Sequence, residues 1–166
     1  MAADAAPSKR QAGTAATLPD LSERPTFLVH QLNAELARIC NPLFRRLDVD
    51  LITSRILVIL LERDTTYISD VVELMALPQS TVSHQIKRLV NAGLVERQAD
   101  TADHRAYVVS LTRQGRNVAE QCNAISERIY AALFDDFDPD QMHDLVTKLT
   151  LMSAKLKALK ASNLEL

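Results

Sequence analysis

Tryptophan is absent from this 166-residue chain, aromatic residues make up only 4% of it, and there are three glycines. Sandwiches and barrels draw on aromatic strands and glycine-rich turns, so the composition favours helices. The longest uninterrupted apolar run, Ile56 to Leu61, spans six residues, far short of the roughly 20 that cross a membrane. Basic residues do not predominate either: 19 Lys and Arg face 21 Asp and Glu, a formal charge of −2. A nucleic-acid role must therefore rest on a local patch rather than on global charge. The two cysteines, Cys40 and Cys122, lie far apart without motif spacing, which points to a reducing, cytoplasmic setting. The Ala-rich N-terminus lacks the continuous apolar core of a signal peptide.

Catalytic signatures are missing too. There is no Gly-x-Ser-x-Gly elbow and no phosphate-cradling glycine loop, and the neighbours Ser83 and His84 point different ways on a helix. His30, His84, His104 and His143 are scattered, with no His-x-x-x-His or Cys-x-x-Cys. The expectation is a protein that is not an enzyme and uses neither metal nor cofactor.

What is present reads as one domain with a real core; its 47% hydrophobic and 24% charged residues suit a globular protein. Residues 1–24, rich in Ala, Ser, Thr and Pro, read as a flexible arm. Leu28, Leu32, Leu36, Ile39, Leu43 and Leu47 recur at helical spacing from Pro25 onward, and Pro42 interrupts that helix. Thr53 is the expected cap of a second helix carrying Ile56, Leu57, Leu60 and Leu61. A polar break over residues 63–66 leads to a short helix with Ile68, Val71, Val72, Leu74 and Met75, and Pro78 fits the first position of the next.

Residues 78–115 are the most informative stretch. Over 79–91, Val82, Ile86, Leu89 and Val90 fall on one face at 100° per residue and must pack inward. Ser80, His84, Lys87, Arg88 and Asn91 share the opposite face, with Thr81 beside them. Gly93 supplies a left-handed helix end. Residues 94–98 and 105–111 then read as two strands around a turn at 99–103. Between Gln79 and Arg116, six Lys and Arg face three acids, a local charge of +3. A helix sized for the DNA major groove beside a basic hairpin is a device for holding a duplex.

Thr112 caps a long helix with Val118, Cys122, Ile125, Ile129 and Leu133 along one stripe, and Asp138-Pro139-Asp140 starts another with Met142, Leu145, Leu149, Met152, Leu156 and Leu159. Together they carry more apolar surface than one small domain covers, which suggests a helical dimer interface.

The motifs Ser80–Ser83, Leu89 to Arg97 as Leu-x-x-x-Gly-Leu-Val-x-Arg, Asp103-x-Arg105 and Leu111-Thr-x-x-Gly115 resemble those of the MarR family of winged helix-turn-helix transcription regulators. The resemblance spans roughly residues 27–160. It implies a mainly helical fold with a small β-wing: dimerisation helices over 25–50 and 113–166, and a winged helix-turn-helix over 51–112. By position it implies that Ser80, Thr81, Ser83, His84, Lys87 and Arg88 meet bases and phosphates in the major groove. Arg105, oriented by Asp103, would enter the minor groove, which suits its charge. His104 replaces a second arginine common at that position.

A homodimer would set its recognition helices about 34 Å apart on a pseudo-palindromic double-stranded DNA operator. The resemblance also implies a repressor released by a small-molecule effector, an aromatic acid, phenol or aryl-CoA thioester. His30, Asn33 and Arg38 are the candidates to meet that effector, the arginine favouring an anionic one. Two alternatives stand beside this reading: a thiol-based redox regulator using Cys40 and Cys122, and a helical protein-interaction module without DNA affinity.

Overall fold

The computed structural model describes residues 18–100 and 106–159. They form two compact units that meet in the chain between Cys40 and Asn41. In the first, a 3-10 turn at Leu21–Glu23 precedes helix α1, Pro25–Phe44, most of which lies in this unit. Its Leu28, Val29, Leu32 and Ile39 side chains are exposed. Pro42 lies inside α1, which ends two residues later in a 3-10 turn, Arg45–Leu47. Proline brings no N–H to the helical ladder.

The second unit holds α2 (Leu51–Arg63), β1 (Thr65–Tyr67), α3 (Ile68–Met75), α4 (Gln79–Asn91), β2 (Val95–Ala99), β3 (Tyr107–Leu111), α5 (Arg113–Phe134) and α6 (Pro139–Ala158). Its core is built where α2 packs on α5, with Ile56, Leu57, Leu60, Val71, Val82, Ile86, Val109 and Cys122 essentially inaccessible. Of the apolar residues anticipated on the inner faces of α2 and α4, all are buried except Leu61 and Val90, which are half-buried.

Three local expectations are corrected. Asp50, not Thr53, caps α2: the Thr53 N–H donates to Asp50 Oδ1 at 2.8 Å, and the Asp50 N–H donates to Thr53 Oγ1 at 2.8 Å. This reciprocal box places a carboxylate at the positive end of the helix, which a threonine cap would not do. Pro78 is the cap of α4 rather than its first residue. Its ψ of 139° is extended, while its carbonyl accepts from the Thr81 and Val82 N–H groups at 2.9 and 3.1 Å.

The third correction concerns the sheet, which has three antiparallel strands in the order β1-β3-β2. The polar break before α3 is itself a strand, Thr65 to Tyr67 pairing with Ser110 to Val108. Its short Thr-Thr-Tyr segment lacks an apolar alternation to announce it, since only Thr66 is buried. The other pairing runs from Val95 opposite Leu111 to Ala99 opposite Tyr107.

The remaining helix ends agree with the sequence reading. Thr112 Oγ1 accepts from the Gly115 N–H at 2.9 Å, and Asp138 forms a capping box with Gln141 ahead of Pro139. No residue of α6 is buried, and Tyr130, Leu133, Phe137, Val146, Leu149, Leu151 and Leu156 leave the end of α5 and much of α6 with an apolar surface. Among the described residues no helix is long and apolar enough to cross a membrane, and no group of three potential metal ligands occurs.

Candidate functional site

The α4 helix divides its residues cleanly. Val82, Ile86 and Leu89 are buried at 0, 1 and 2% exposure. Ser80, Ser83, His84, Lys87 and Arg88 are exposed, and Thr81 is half-buried. The helix contains no acidic residue, so its outer face presents hydroxyls and an imidazole near the N-terminus and positive charge toward the C-terminus. Hydroxyls and imidazole can pair with base edges, and a lysine ammonium with a phosphate.

Arg88 is engaged within the protein. Its Nη1 donates to Asp50 Oδ2 at 3.2 Å and to Gln85 Oε1 at 2.7 Å. Partial burial works against the charge of the Asp50 carboxylate. The Thr53 N–H and hydroxyl, together with the Arg88 guanidinium, outweigh that burial and hold its pKa below the ordinary value. Arg88 therefore ties the outer face of α4 to the start of α2, while Lys87 has no ion pair among the described residues.

Behind α4 the chain turns at Gly93, whose φ of +71° is a left-handed conformation glycine adopts without strain. Thr112 fastens this turn to α5. Its N–H donates to the Leu94 carbonyl at 3.1 Å, and its hydroxyl donates to the Gly93 carbonyl at 2.7 Å. Gly115 completes the crossing, since a Cβ there would sit 1.7 Å from the Leu94 carbonyl oxygen. The Leu-Thr-x-x-Gly motif is thus a joint that fastens the turn after α4 to the start of α5.

The strands beside α4 add groups the sequence reading did not single out. The Arg97 guanidinium lies 3.6 Å from the centre of the Tyr107 ring, across the β2–β3 pair on a diagonal. The Tyr67 hydroxyl donates to Asp100 Oδ2 at 2.8 Å, joining β1 to the end of β2, and the Asp100 N–H donates to the Ala106 carbonyl at 3.0 Å. Between α4 and the strands runs an open cleft of about 500 Å³ whose lining includes Gln79 and Ser83 on one side and Arg97 and Tyr107 on the other. Alternation of Arg97 and Tyr107 on neighbouring strands was the available signal, but their register depends on β-pairing across a turn. Asp103, His104 and Arg105, expected at the tip of the wing, lie outside the described residues.

The expected effector residues belong to the first unit. His30 and Asn33 are exposed on α1, and Arg38 is paired with Glu35 through Nη2 and Nε at 2.6 and 2.8 Å. Its charge is thus matched one helical turn away. Both cysteines are buried, and burial pushes the Cys122 thiol up to about 11. A thiol so held carries little of the thiolate that reacts with oxidants, so a redox role for it finds no support.

Residues 47–106 match the family model described as the MarR family. An uncharacterized HTH-type transcriptional regulator of Bacillus subtilis, YdgG, is 25% identical over 81 residues, covering 48% of this chain and 53% of that protein. The chain thus aligns with about half the length of this relative. Among solved structures, a cysteine-to-serine mutant of MarR from E. coli complexed with operator DNA superposes with a TM-score of 0.66 at 22% identity, covering 75% of this chain and 90% of the other. The S. aureus MepR–DNA complex superposes at 0.73 with 19% identity, covering 80% and 98%. At these identities the likeness is one of fold, and that fold is the winged helix.

Proposed function

From residues 47–106, which match the model of the MarR family, we propose that the chain is a homodimeric, sequence-specific DNA-binding transcription regulator of that family. The observation that carries this reading is the division of α4: a sealed apolar face, and an outer face with hydroxyls, an imidazole and a lysine but no carboxylate. In this reading Ser80, Thr81, Ser83 and His84 meet base edges, and Lys87 meets a phosphate. Arg105, aided by Asp103, reaches the minor groove. Arg88 contributes by holding α4 against α2, with its outward nitrogens turned to the backbone. That structures of MarR and MepR in complex with DNA share this fold supports the DNA-binding reading.

The apolar surface of α5 and α6 supports the dimer, since an exposed cluster of that size is an interaction site in most soluble proteins. In its finer form the proposal is a repressor that a small molecule releases by favouring a dimer with wrongly spaced recognition helices. Such release needs a preference of a few kcal/mol between the two states. The decisive experiment is fluorescence anisotropy with DNA from upstream of its own gene, over a range of salt, with mass measured by light scattering. Binding that weakens linearly in log–log salt plots, by a species of twice the chain mass, is the expected result. A protein with no salt-dependent affinity for such DNA would be an interaction module instead.

A further inference from the structure

The cleft between α4 and the wing strands has a function of its own if α4 reads DNA, and this inference rests on that reading. The two grooves of a duplex are separated by a single sugar–phosphate strand. When one element occupies the major groove and a hairpin beside it reaches the adjacent minor groove, the strand dividing the two grooves must pass between them. In this protein the space between those elements is the cleft of about 500 Å³.

Its lining suits a phosphodiester. Gln79 and Ser83 from α4 and Arg97 from β2 present donors, and no Asp or Glu is among the described lining residues. Among the described residues two carboxylates bond to the lining: Asp100 accepts from the Tyr67 hydroxyl at 2.8 Å, and Asp70 from the Ser69 hydroxyl at 3.3 Å. Arg97 is the principal cation here. Among the described residues its guanidinium has no ion pair, and its contact is with the face of the Tyr107 ring at 3.6 Å. A guanidinium lying on an aromatic face keeps its N–H donors at its rim. The stack thus limits the arginine's freedom before binding and leaves the groups that pair with phosphate unused.

We infer that Arg97, stacked on Tyr107, is a DNA-backbone contact that grips the strand running between the recognition helix and the wing. It sets register and affinity rather than sequence choice, because every phosphate is alike. Tyr107 is a positioning residue that acts through Arg97.

The test is anisotropy titration of the full-length chain on its own upstream DNA and on a scrambled duplex, at several salt concentrations. Arg97→Ala is expected to weaken binding about tenfold on both duplexes and to lower the log–log salt slope by about one. Arg97→Gln, which keeps the stem and loses the charge, is expected to show the same loss of slope. Tyr107→Phe, which keeps the ring, should bind as the wild type does, whereas Tyr107→Leu should move toward Arg97→Ala. Unaltered helical circular dichroism and melting confirm that each variant is folded. Wild-type affinity and slope in Arg97→Ala and Arg97→Gln would overturn the inference and leave the DNA-binding reading intact. A loss confined to one duplex would also overturn it, by making Arg97 a base reader. A wild-type protein without salt-dependent DNA binding would overturn both readings.

Discussion

Arg88 Nη1 lies 3.2 Å from Asp50 Oδ2, across 38 residues of chain, and so joins the outer face of α4 to the cap of α2. Asp50 serves two structures at once, since its other oxygen accepts from the Thr53 N–H. Asp50→Ala removes the cap and the ion pair together and is expected to cost about 0.5–2 kcal/mol in urea denaturation. Asp50→Asn keeps the cap and should cost less, the pair itself being partly exposed. The Asp50 pKa is lowered on folding, so the unfolded chain takes up its proton first as pH falls. Its stabilisation is therefore present above about pH 4 and disappears as pH drops through the lowered folded value. The gap between the wild type and Asp50→Ala should shrink over that acidic range, and a gap independent of pH would refute the assignment.

The two faces of α4 predict opposite phenotypes. Ile86, 1% exposed, should lose about 2–5 kcal/mol of stability when replaced by alanine. Lys87→Ala, on the exposed face, should change stability by no more than about 0.5 kcal/mol. DNA affinity and salt slope would fall for Lys87→Ala at full folding, which chemical denaturation and anisotropy on the same samples would separate.

Two glycines differ in why they are glycine. At Gly93 there is room for a side chain, but φ is +71°, so Gly93→Ala should cost on the order of 1 kcal/mol in backbone strain. At Gly115 the added methyl would meet the Leu94 carbonyl at 1.7 Å. Backbone cannot yield as a side-chain tip can, so Gly115→Ala is expected to lose about 3 kcal/mol or more. Thermal melts of both variants would rank them, and equal losses would contradict the joint described between α4 and α5.

Cys122 is 0% exposed, with its thiol raised to about 11. A maleimide or aromatic disulfide at pH 8 should therefore modify it far faster in urea than in the native state. The unfolded thiol ionises near the ordinary value while the folded one holds its proton. Stability is thus expected to decline as pH rises from about 9 toward 11. Rapid native labelling at Cys122, resolved by peptide mass analysis, would contradict its burial.

Legibility followed the range of the interactions. The α4 face, the Gly93 stop, the Thr112 cap and the Asp138-Pro139 start depend on residues within about one turn of each other, and all were readable as patterns. The strand at Thr65–Tyr67 was not, because its state comes from pairing with Ser110–Val108, more than 40 residues on. The cap of α2 was misread by three residues because Asp50 and Thr53 each bond the other's backbone, and either one alone is a plausible cap.

By itself, then, the sequence determined most of the inward-facing residues of α2 and α4, the starts of α5 and α6, and that a face without carboxylates lies on one helix within a chain of slight net negative charge. Periodicity and capping are local, so nothing more than the order of residues is needed to express them. Tertiary structure alone decided the employment of those groups. It bound Arg88 to Asp50, laid Arg97 on Tyr107, and opened a cleft between helix and strands whose described lining carries no carboxylate. These outcomes depend on register and on loop closures spanning tens of residues. Such closures become favourable only when the core of α2, α4 and α5 has formed.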